Sequence, residues 1–263
     1  MNDYQHSFNP FRVIPCLQVE QRRLVKTTRY RNPSYLGDLI NSLRIFNEKE
    51  VDEIAVLDIS ATRDRRGPDF DLINEMASEC FMPLAYGGGI TTVSEIERII
   101  KLGVEKVILN SSALENLDLV RAAASSAGSQ SVVVSIDVKK QWFGGYGVFT
   151  RSGTKRISGD LLRTVDAVTE AGAGELLLNS IDKDGTMAGY DHELIKVVTA
   201  RTTLPVIAAG GASGPSDLVC AVEQSGASAV AAGALFVYRG PHRAVLLSYP
   251  SAREIRAYLA ENN

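Results

Sequence analysis

The sequence predicts an α/β protein folded as a single (β/α)8 TIM barrel with a half-barrel internal repeat. Three observations predict it. Eight short apolar runs recur along the 263 residues, each with the near-continuous apolarity of a strand buried on both faces. Segments with helical spacing of apolar residues fill the gaps between them. The two halves of the chain also resemble each other at a near-constant offset, the mark of a duplicated unit. EIAVLDI from Glu53 and ELLLNSI from Glu175 lie 122 residues apart, as do PLAYGGG from Pro83 and PVIAAGG from Pro205. Eight βα units in a chain of this length are what such a barrel needs. A doubly wound open sheet would want a glycine-rich turn straight after the first strand, and none is there.

Residues 1–11 read as a polar N-terminal extension and 12–263 as the barrel. Met1 to Ser7 hold no apolar stretch of the signal-peptide kind. Strands are predicted over 13–19, 54–59, 84–86, 107–109, 132–136, 176–178, 206–209 and 229–232. Val93, Ile96, Ile99 and Ile100 mark one helix, and Leu161, Leu162, Val165 and Val168 another. Thr92 with Glu95, and Ser251 with Glu254, have capping-box spacing at helix starts. Three connections exceed what barrel units require. Residues 20–32 form an Arg- and Lys-rich loop after the first strand. Residues 138–151, with Trp142, Phe143, Gly144, Gly145 and Tyr146, suggest a hairpin after the fifth. Residues 238–250 delay the last helix. All three leave from strand C-terminal ends, the face where barrel active sites form.

The net charge of −3 offers no polyanion-binding surface, so nucleic acid is not expected as a partner. No run approaches the roughly 20 apolar residues of a spanning helix, so no membrane is expected. Cys16, Cys80 and Cys220 lie far apart, as reduced thiols of a cytoplasmic protein would. Neither they nor His6, His192 and His242 have metal-ligand spacing, and no metal or cofactor is expected.

Gly87, Gly88 and Gly89 follow the third strand and open a helix, and Asn110 and Ser111 end the fourth. Their counterparts are Gly210 and Gly211 after the seventh strand and Gly233 and Ala234 after the eighth, with Asp184, Gly185 and Thr186 ending the sixth. Backbone N–H groups in such turns attract anions. Two sets on opposite sides of one mouth suit a small molecule with two phosphates; tight turns alone are the plainer alternative. Asp137, ending the fifth strand, is the candidate general acid/base. Gln18, ending the first, is expected to face it, but an amide can orient without transferring a proton near neutral pH. Asp58 and Asp182 also end strands and would position ligand or close hydrogen-bond networks. Arg12, Glu53, Lys106 and Glu175 begin strands and would ring the N-terminal pole. A stabilising ring of ion pairs is the plainer reading of them, a gated opening the sharper one.

RVIPCLQV, LDIS, YGGGI, EKVILNSSAL, GSQSVVVSIDVK, GAGELLLNSIDKDGTMAGYD and PVIAAGGA resemble the cyclase subunit of imidazole glycerol phosphate synthase, from about Arg12 to the C-terminus. The resemblance implies a lyase of histidine biosynthesis that takes ammonia from a glutaminase (HisH-type) partner docked on the N-terminal pole. Ammonia would pass through the barrel and, at the opposite pole, cleave and cyclise a bis-phosphorylated, nucleotide-derived substrate. The products would be imidazole glycerol phosphate and aminoimidazole carboxamide ribotide. By the same resemblance Arg12, Glu53, Lys106 and Glu175 form the ammonia gate. Gly89, Asn110 and Ser111 fall on one phosphate site, and Gly185, Gly211, Gly233 and Ala234 on the other. Lys26 contacts substrate, and Asp137 is one of two catalytic aspartates.

The second catalytic aspartate falls on Gln18. Loss of one carboxylate from an acid–base pair removes about two to four orders of magnitude in rate. Ala234 stands where the family has a phosphate-contacting hydroxyl, and Ile108 where it has a small polar residue. Gln18 and the 238–250 insertion together resemble divergent paralogues associated with acetamidino modification of surface-polysaccharide sugars. There the ammonia serves a separate sugar amidotransferase. The implied function is thus ammonia supply for sugar amidination. The alternatives are an active cyclase and a non-catalytic activator of the glutaminase.

Overall fold

The computed structural model describes residues 9–142 and 144–262. Residues 1–8 of the expected extension, with His6, lie outside them, as does Phe143 of the expected hairpin. The chain runs β1 (Arg12–Glu20), β2 (Arg23–Thr28), β3 (Arg31–Asp38), α1 (Leu39–Glu48), β4 (Ile54–Asp58), α2 (Phe70–Glu79), β5 (Leu84–Gly87), α3 (Val93–Lys101), β6 (Lys106–Leu109), α4 (Ser111–Glu115), α5 (Leu117–Ala127) and β7 (Val132–Lys140). It continues through β8 (Tyr146–Thr150), β9 (Lys155–Arg156), α6 (Leu161–Glu170), β10 (Glu175–Ser180), α7 (His192–Thr199), β11 (Val206–Ala209), α8 (Pro215–Glu223), β12 (Ala229–Ala232), α9 (Ala234–Val237), β13 (Tyr238–Arg239), β14 (Ala244–Val245) and α10 (Ala252–Asn262).

Eight parallel strands close on themselves in the order β1, β4, β5, β6, β7, β10, β11, β12, with β12 returning to β1. All eight predicted strands are present. β1 and β7 have three strands between them either way round, so they stand on opposite sides of the barrel. Among the described residues no helix is long and apolar enough to cross a membrane.

The two-residue period of a strand explains both the unbroken apolar runs and the placement of the polar residues. On β1, Val13, Leu17 and Val19 pack outward under the helices, while Ile14 and Cys16 belong to a separate inner cluster. On β7, Val132, Val134 and Ile136 go outward and Val133 inward; on β10, Leu176 and Leu178 go outward and Leu177 inward. The inward positions therefore run Arg12, Ile14, Cys16, Gln18 on β1 and Glu175, Leu177, Asn179 on β10. Each such strand carries a charge at its start, an apolar residue in its middle and a polar group at its end. The inner layer is alanine-rich, with Ala55, Ala85, Ala209, Ala229 and Ala231 beside Ile14, Ile108, Val133, Leu177 and Ile207.

Local signals start the outer helices. Asp38 caps α1 by accepting from Asn41 N at 2.7 Å. The capping box of Thr92 and Glu95 is present on α3. Ser251 and Glu254 also bond reciprocally ahead of α10, at 2.8 and 3.3 Å.

Two segments differ from expectation. The loop predicted over 20–32 is largely sheet: β2 pairs antiparallel with β1, Gln18 against Val25, and β3 pairs with β2. The irregular segment after β12 contains the two-stranded hairpin of β13 and β14. The hairpin expected after β7 is present, with Asp137 opposite Phe149 on β8.

Tyr249 ties the segment before α10 to the start of the barrel. Its hydroxyl lies 2.9 Å from Val13 O and 2.8 Å from Asp52 Oδ2, and Asn9 Nδ2 donates to it at 3.1 Å. Tyr249→Phe is expected to lower unfolding free energy by about 1–2 kcal/mol, because partly buried acceptors lose their donor. Urea denaturation reads this, and an unchanged midpoint would show that the hydroxyl bears no load.

Candidate active site

The C-terminal mouth gathers the inward ends of the strands and the hairpin formed by β2 and β3. Gln18 is buried, and its Oε1 accepts from Thr27 N at 2.8 Å and Thr27 Oγ1 at 2.9 Å. The side chain expected to face Asp137 across the mouth is instead committed to the hairpin beside it. The next residue back, Lys26, points its ammonium at Asp184, 2.9 and 3.1 Å from the two carboxylate oxygens, and both partners are buried. Thr27 Oγ1 also lies 3.3 Å from Asp184 Oδ2, so one hydroxyl links the amide to the ion pair.

Asp137 sits across the barrel from Gln18 and is buried. Ser135 Oγ donates to its Oδ1 at 3.0 Å. The Tyr30 hydroxyl, from the hairpin tip, accepts from Nδ2 of Asn179, the register partner of Asp137, at 2.6 Å. Burial pushes the Asp137 carboxyl up to about 6; the Tyr30 and Ser135 hydroxyls oppose that rise, and the nearby Asp184 carboxylate adds to it. A buried carboxylate poised near neutrality can exchange a proton at physiological pH.

Gly185, Gly211, Gly233 and Ala234 line a single cavity together with Asp184, Gly210 and Ala232. The Lys26 stem crosses its edge: a Cβ on Gly233 would come within 3.1 Å of Lys26 Cε. The same test brings a Cβ on Gly185 to 2.3 Å from Thr27 O, so the hairpin lies directly on that glycine. The other predicted phosphate group is arranged differently. A Cβ on Gly89 would meet Arg66 O at 2.6 Å, in the loop after β4. Asn110 Nδ2 donates to Ser135 O at 3.0 Å, and Ser111 Oγ accepts from Arg151 N at 2.8 Å. Asn110 and Ser111 thus brace β7 and the β8 end, while Gly89 is packed against a different loop.

At the opposite pole Arg12, Glu53, Lys106 and Glu175 form a closed ring of alternating charge. Arg12 bonds Glu53 at 2.6 Å and also Glu175. Lys106 Nζ bonds Glu53 at 2.9 Å and Glu175 at 3.0 Å. Both carboxylates are buried. The ring floors a depression edged by Asp52, Pro83, Glu105, Gln130 and Pro205. Behind it lies the alanine-rich inner layer, then the mouth.

The two aspartates expected at strand ends close networks: Asp58 does end β4, but Asp182 lies in the turn after β10. Asp58 Oδ1 accepts from Ser60 N, Ser60 Oγ and Ala61 N, and its Oδ2 from Arg66 at 2.7 Å. Asp182 Oδ2 accepts from Lys140 N at 2.9 Å. His192 bridges Ser225 and Asp217, both at 2.9 Å; Ser225 is buried, so this Asp–His–Ser array fastens α7 to α8. Among the described residues no group of three or more His, Cys, Asp or Glu is placed to hold a metal ion. Sequence reasoning passed over Thr27, Tyr30 and Arg243. They lie in segments read as irregular, with no periodicity to mark them.

A model of the family described as "Histidine biosynthesis protein" matches residues 12–242. A Pseudomonas aeruginosa protein with the provisional name imidazole glycerol phosphate synthase subunit hisF2 is 51% identical over 244 residues, 93% of this chain and 97% of its own. A Leptospira borgpetersenii protein provisionally named as the HisF subunit of the same synthase is 46% identical, over 94% of this chain and 97% of its own. The Streptococcus mutans imidazole glycerol phosphate synthase subunit HisF, named without that reservation, is 38% identical over 86% of this chain and 90% of its own.

Burial of Asp137 has a consequence for stability. Its folded pKa, about 6, lies above the roughly 3.9 of an unfolded aspartate. The native state therefore binds the proton more tightly, and stability present below the unfolded value is lost as pH rises through the folded one. Asp137→Asn buries no charge, so it should unfold about 2–3 kcal/mol less readily than the parent chain at pH 8, with the gap closing towards pH 4. Denaturant titrations at the two pH values test this, and a gap independent of pH would contradict it.

Proposed function

The chain belongs to the family of histidine biosynthesis proteins and is HisF-like, and from that premise we propose that it receives ammonia from a glutaminase subunit and delivers it for sugar amidination in surface-polysaccharide biosynthesis. The observation that carries this reading is the engagement of Gln18. Its carbonyl accepts two hydrogen bonds from Thr27, so the position holds the hairpin and offers no proton donor to the mouth. A ring-closing reaction that needs acid and base on opposite sides is then left with Asp137 alone.

The entrance supports the same reading. Arg12, Glu53, Lys106 and Glu175 make a barrier that opens by exchange of ion pairs, and the alanine-rich layer behind it presents little bulk to a small neutral molecule. In this reading the glutaminase seats on the depression around the ring, and a sugar amidotransferase takes ammonia from the mouth.

One set of observations favours a second reading, an active cyclase subunit. The cavity of Gly185, Gly211, Gly233 and Ala234 with Lys26 at its edge suits one phosphate of a substrate, and Asp137 sits near neutrality.

Growth separates the two. In a bacterium lacking its cyclase subunit, on medium without histidine, the wild-type chain is expected to give no rescue. Gln18→Asp, with the phosphate cavity and gate intact, is expected to restore at least slow growth. Robust growth with the wild-type chain would overturn the amidination reading in favour of the cyclase. The ammonia-receiving part is tested apart from this: the chain should stimulate a HisH-type glutaminase and co-elute with it, and failure of both would remove the gate's proposed role.

A further inference from the structure

The array of Asp217, His192 and Ser225 takes no part in the gate or in the reading above, yet it backs onto the cavity of Gly185, Gly211 and Gly233. Asp217 lies in the first turn of α8, whose N-cap is Gly214, with no side chain to accept a bond. The Asp217 carboxylate does more than replace that cap. Its Oδ2 accepts from Ser213 N at 3.0 Å, in the loop after β11, and from Tyr190 N at 3.1 Å, in the loop after β10. Its Oδ1 accepts from His192 Nε2 at 2.9 Å and lies 3.4 Å from Tyr190 N. His192 Nδ1 meets the buried Ser225 Oγ. The Asp217 side chain is only 9% exposed, so water competes little for these bonds.

The two loops it joins are walls of the cavity. Asp184, Gly185 and Met187 come from the loop after β10, and Gly210, Gly211 and Ala212 from the loop after β11. The loops meet backbone to backbone. Gly189 N donates to Gly211 O at 2.9 Å, and a Cβ on Gly211 would come within 2.4 Å of Gly189 O. The third wall, Ala232, Gly233, Ala234 and Leu235, closes β12 and continues from it. Just before it, Ala231 O accepts from the buried Tyr190 hydroxyl at 3.0 Å. One carboxylate thus ties two walls, and a residue whose N–H it accepts ties the third. A cradle of backbone N–H groups holds an anion only where those groups converge. Loops this rich in glycine have few side chains with which to fix their own spacing.

We propose that Asp217 is a positioning residue for this cavity: with His192 as its side-chain donor, it sets the spacing of the loops after β10 and β11 and thereby the cavity's affinity for a phosphate group. It touches no ligand and acts through the N–H groups of Ser213 and Tyr190. The proposal rests on the reading of this cavity as a phosphate seat, and it holds whether the mouth serves amidination or cyclisation. The array itself separates shape from charge. Asp217→Asn keeps an acceptor oxygen for Ser213 N and Tyr190 N and turns its amide nitrogen to His192 Nε2. The ring answers by accepting there and donating from Nδ1 to Ser225 Oγ, whose own proton turns to Cys220 O, 3.4 Å away. Asp217→Ala removes every acceptor.

The test reads phosphate binding to the purified full chain. Inorganic phosphate is titrated while the amide of Gly233, on the wall that none of the substitutions alters, is followed by ¹⁵N–¹H NMR. Thermal unfolding confirms that each variant is folded. The Gly233 signal of the parent should shift and saturate. Asp217→Ala should weaken binding by about tenfold and Asp217→Asn by less than about twofold, because only the first loses the preorganised loops. His192→Phe keeps a ring and removes the donor, and should weaken binding by about threefold. Asp217→Ala with the parent's affinity, or Asp217→Asn weakened as far as Asp217→Ala, overturns the proposal. Should Asp217→Ala not fold, His192→Phe with the parent's affinity overturns it instead. A parent chain whose Gly233 signal stays still in tens of millimolar phosphate removes the phosphate seat and the proposal with it, and leaves the glutaminase experiment untouched.

Discussion

The buried ion pair between Lys26 and Asp184 is the interaction on which the mouth depends. Each charge is out of water, and neither would be tolerated there without the other. Lys26 lies on β2 and Asp184 in the turn after β10. The pair can form only when the hairpin lies down across the barrel rim. That single constraint orders the neighbours. Thr27 comes within reach of Gln18, Arg29 meets the Asp184 carbonyl, and the turn delivers the Tyr30 hydroxyl to Asn179. A lone buried pair is weak evidence for stability, but here its geometry specifies one position of a segment that would otherwise be an arm in solvent.

The strand period carries that order through to the other pole. Because alternate residues face inward, a charged residue opening a strand is in line with an apolar one in the middle and a polar one at the end. Arg12, Ile14, Cys16 and Gln18 make one such column, and Glu175, Leu177 and Asn179 another. The barrel therefore has two polar ends separated by a thin apolar layer. The charged ring is closed by four ion pairs sharing two carboxylates, so opening one side leaves each charge with a remaining partner.

Much of this was legible in the sequence, and the part that was not has physical reasons. The eight strands announce themselves because burial on both faces leaves no room for polar interruption. The polar columns follow once strand direction is known, which is why Asp137 could be placed at one mouth and Arg12, Glu53, Lys106 and Glu175 at the opposite pole. The hairpin could not be foreseen. Hairpin turns are recognised by the Asn and Gly that tolerate positive φ, and Arg29–Tyr30 has neither. Its conformation is imposed by tertiary bonds to Asp184, Asp182 and, through Thr28, Arg243. For the same reason Gln18 was expected to face Asp137: only the hairpin's position turns it to Thr27. The two glycine clusters looked equivalent by symmetry, yet Gly185, Gly211 and Gly233 line one cavity while Gly89 packs against the loop after β4.

Charge balance explains why an amide is suited to position 18. Asp137 and Asp184 already share the mouth with one buried ammonium, Lys26, and the Asp184 carboxylate raises the cost of ionising Asp137. A carboxylate at 18 would be a third acid in that space, facing Thr27 N–H and the Thr27 hydroxyl. It would compete with Asp184 for that hydroxyl and for the buried Lys26 ammonium. The amide oxygen accepts the same two bonds without adding charge. An amide at 18 therefore holds the hairpin with less electrostatic cost than a carboxylate would, and it carries no titratable proton.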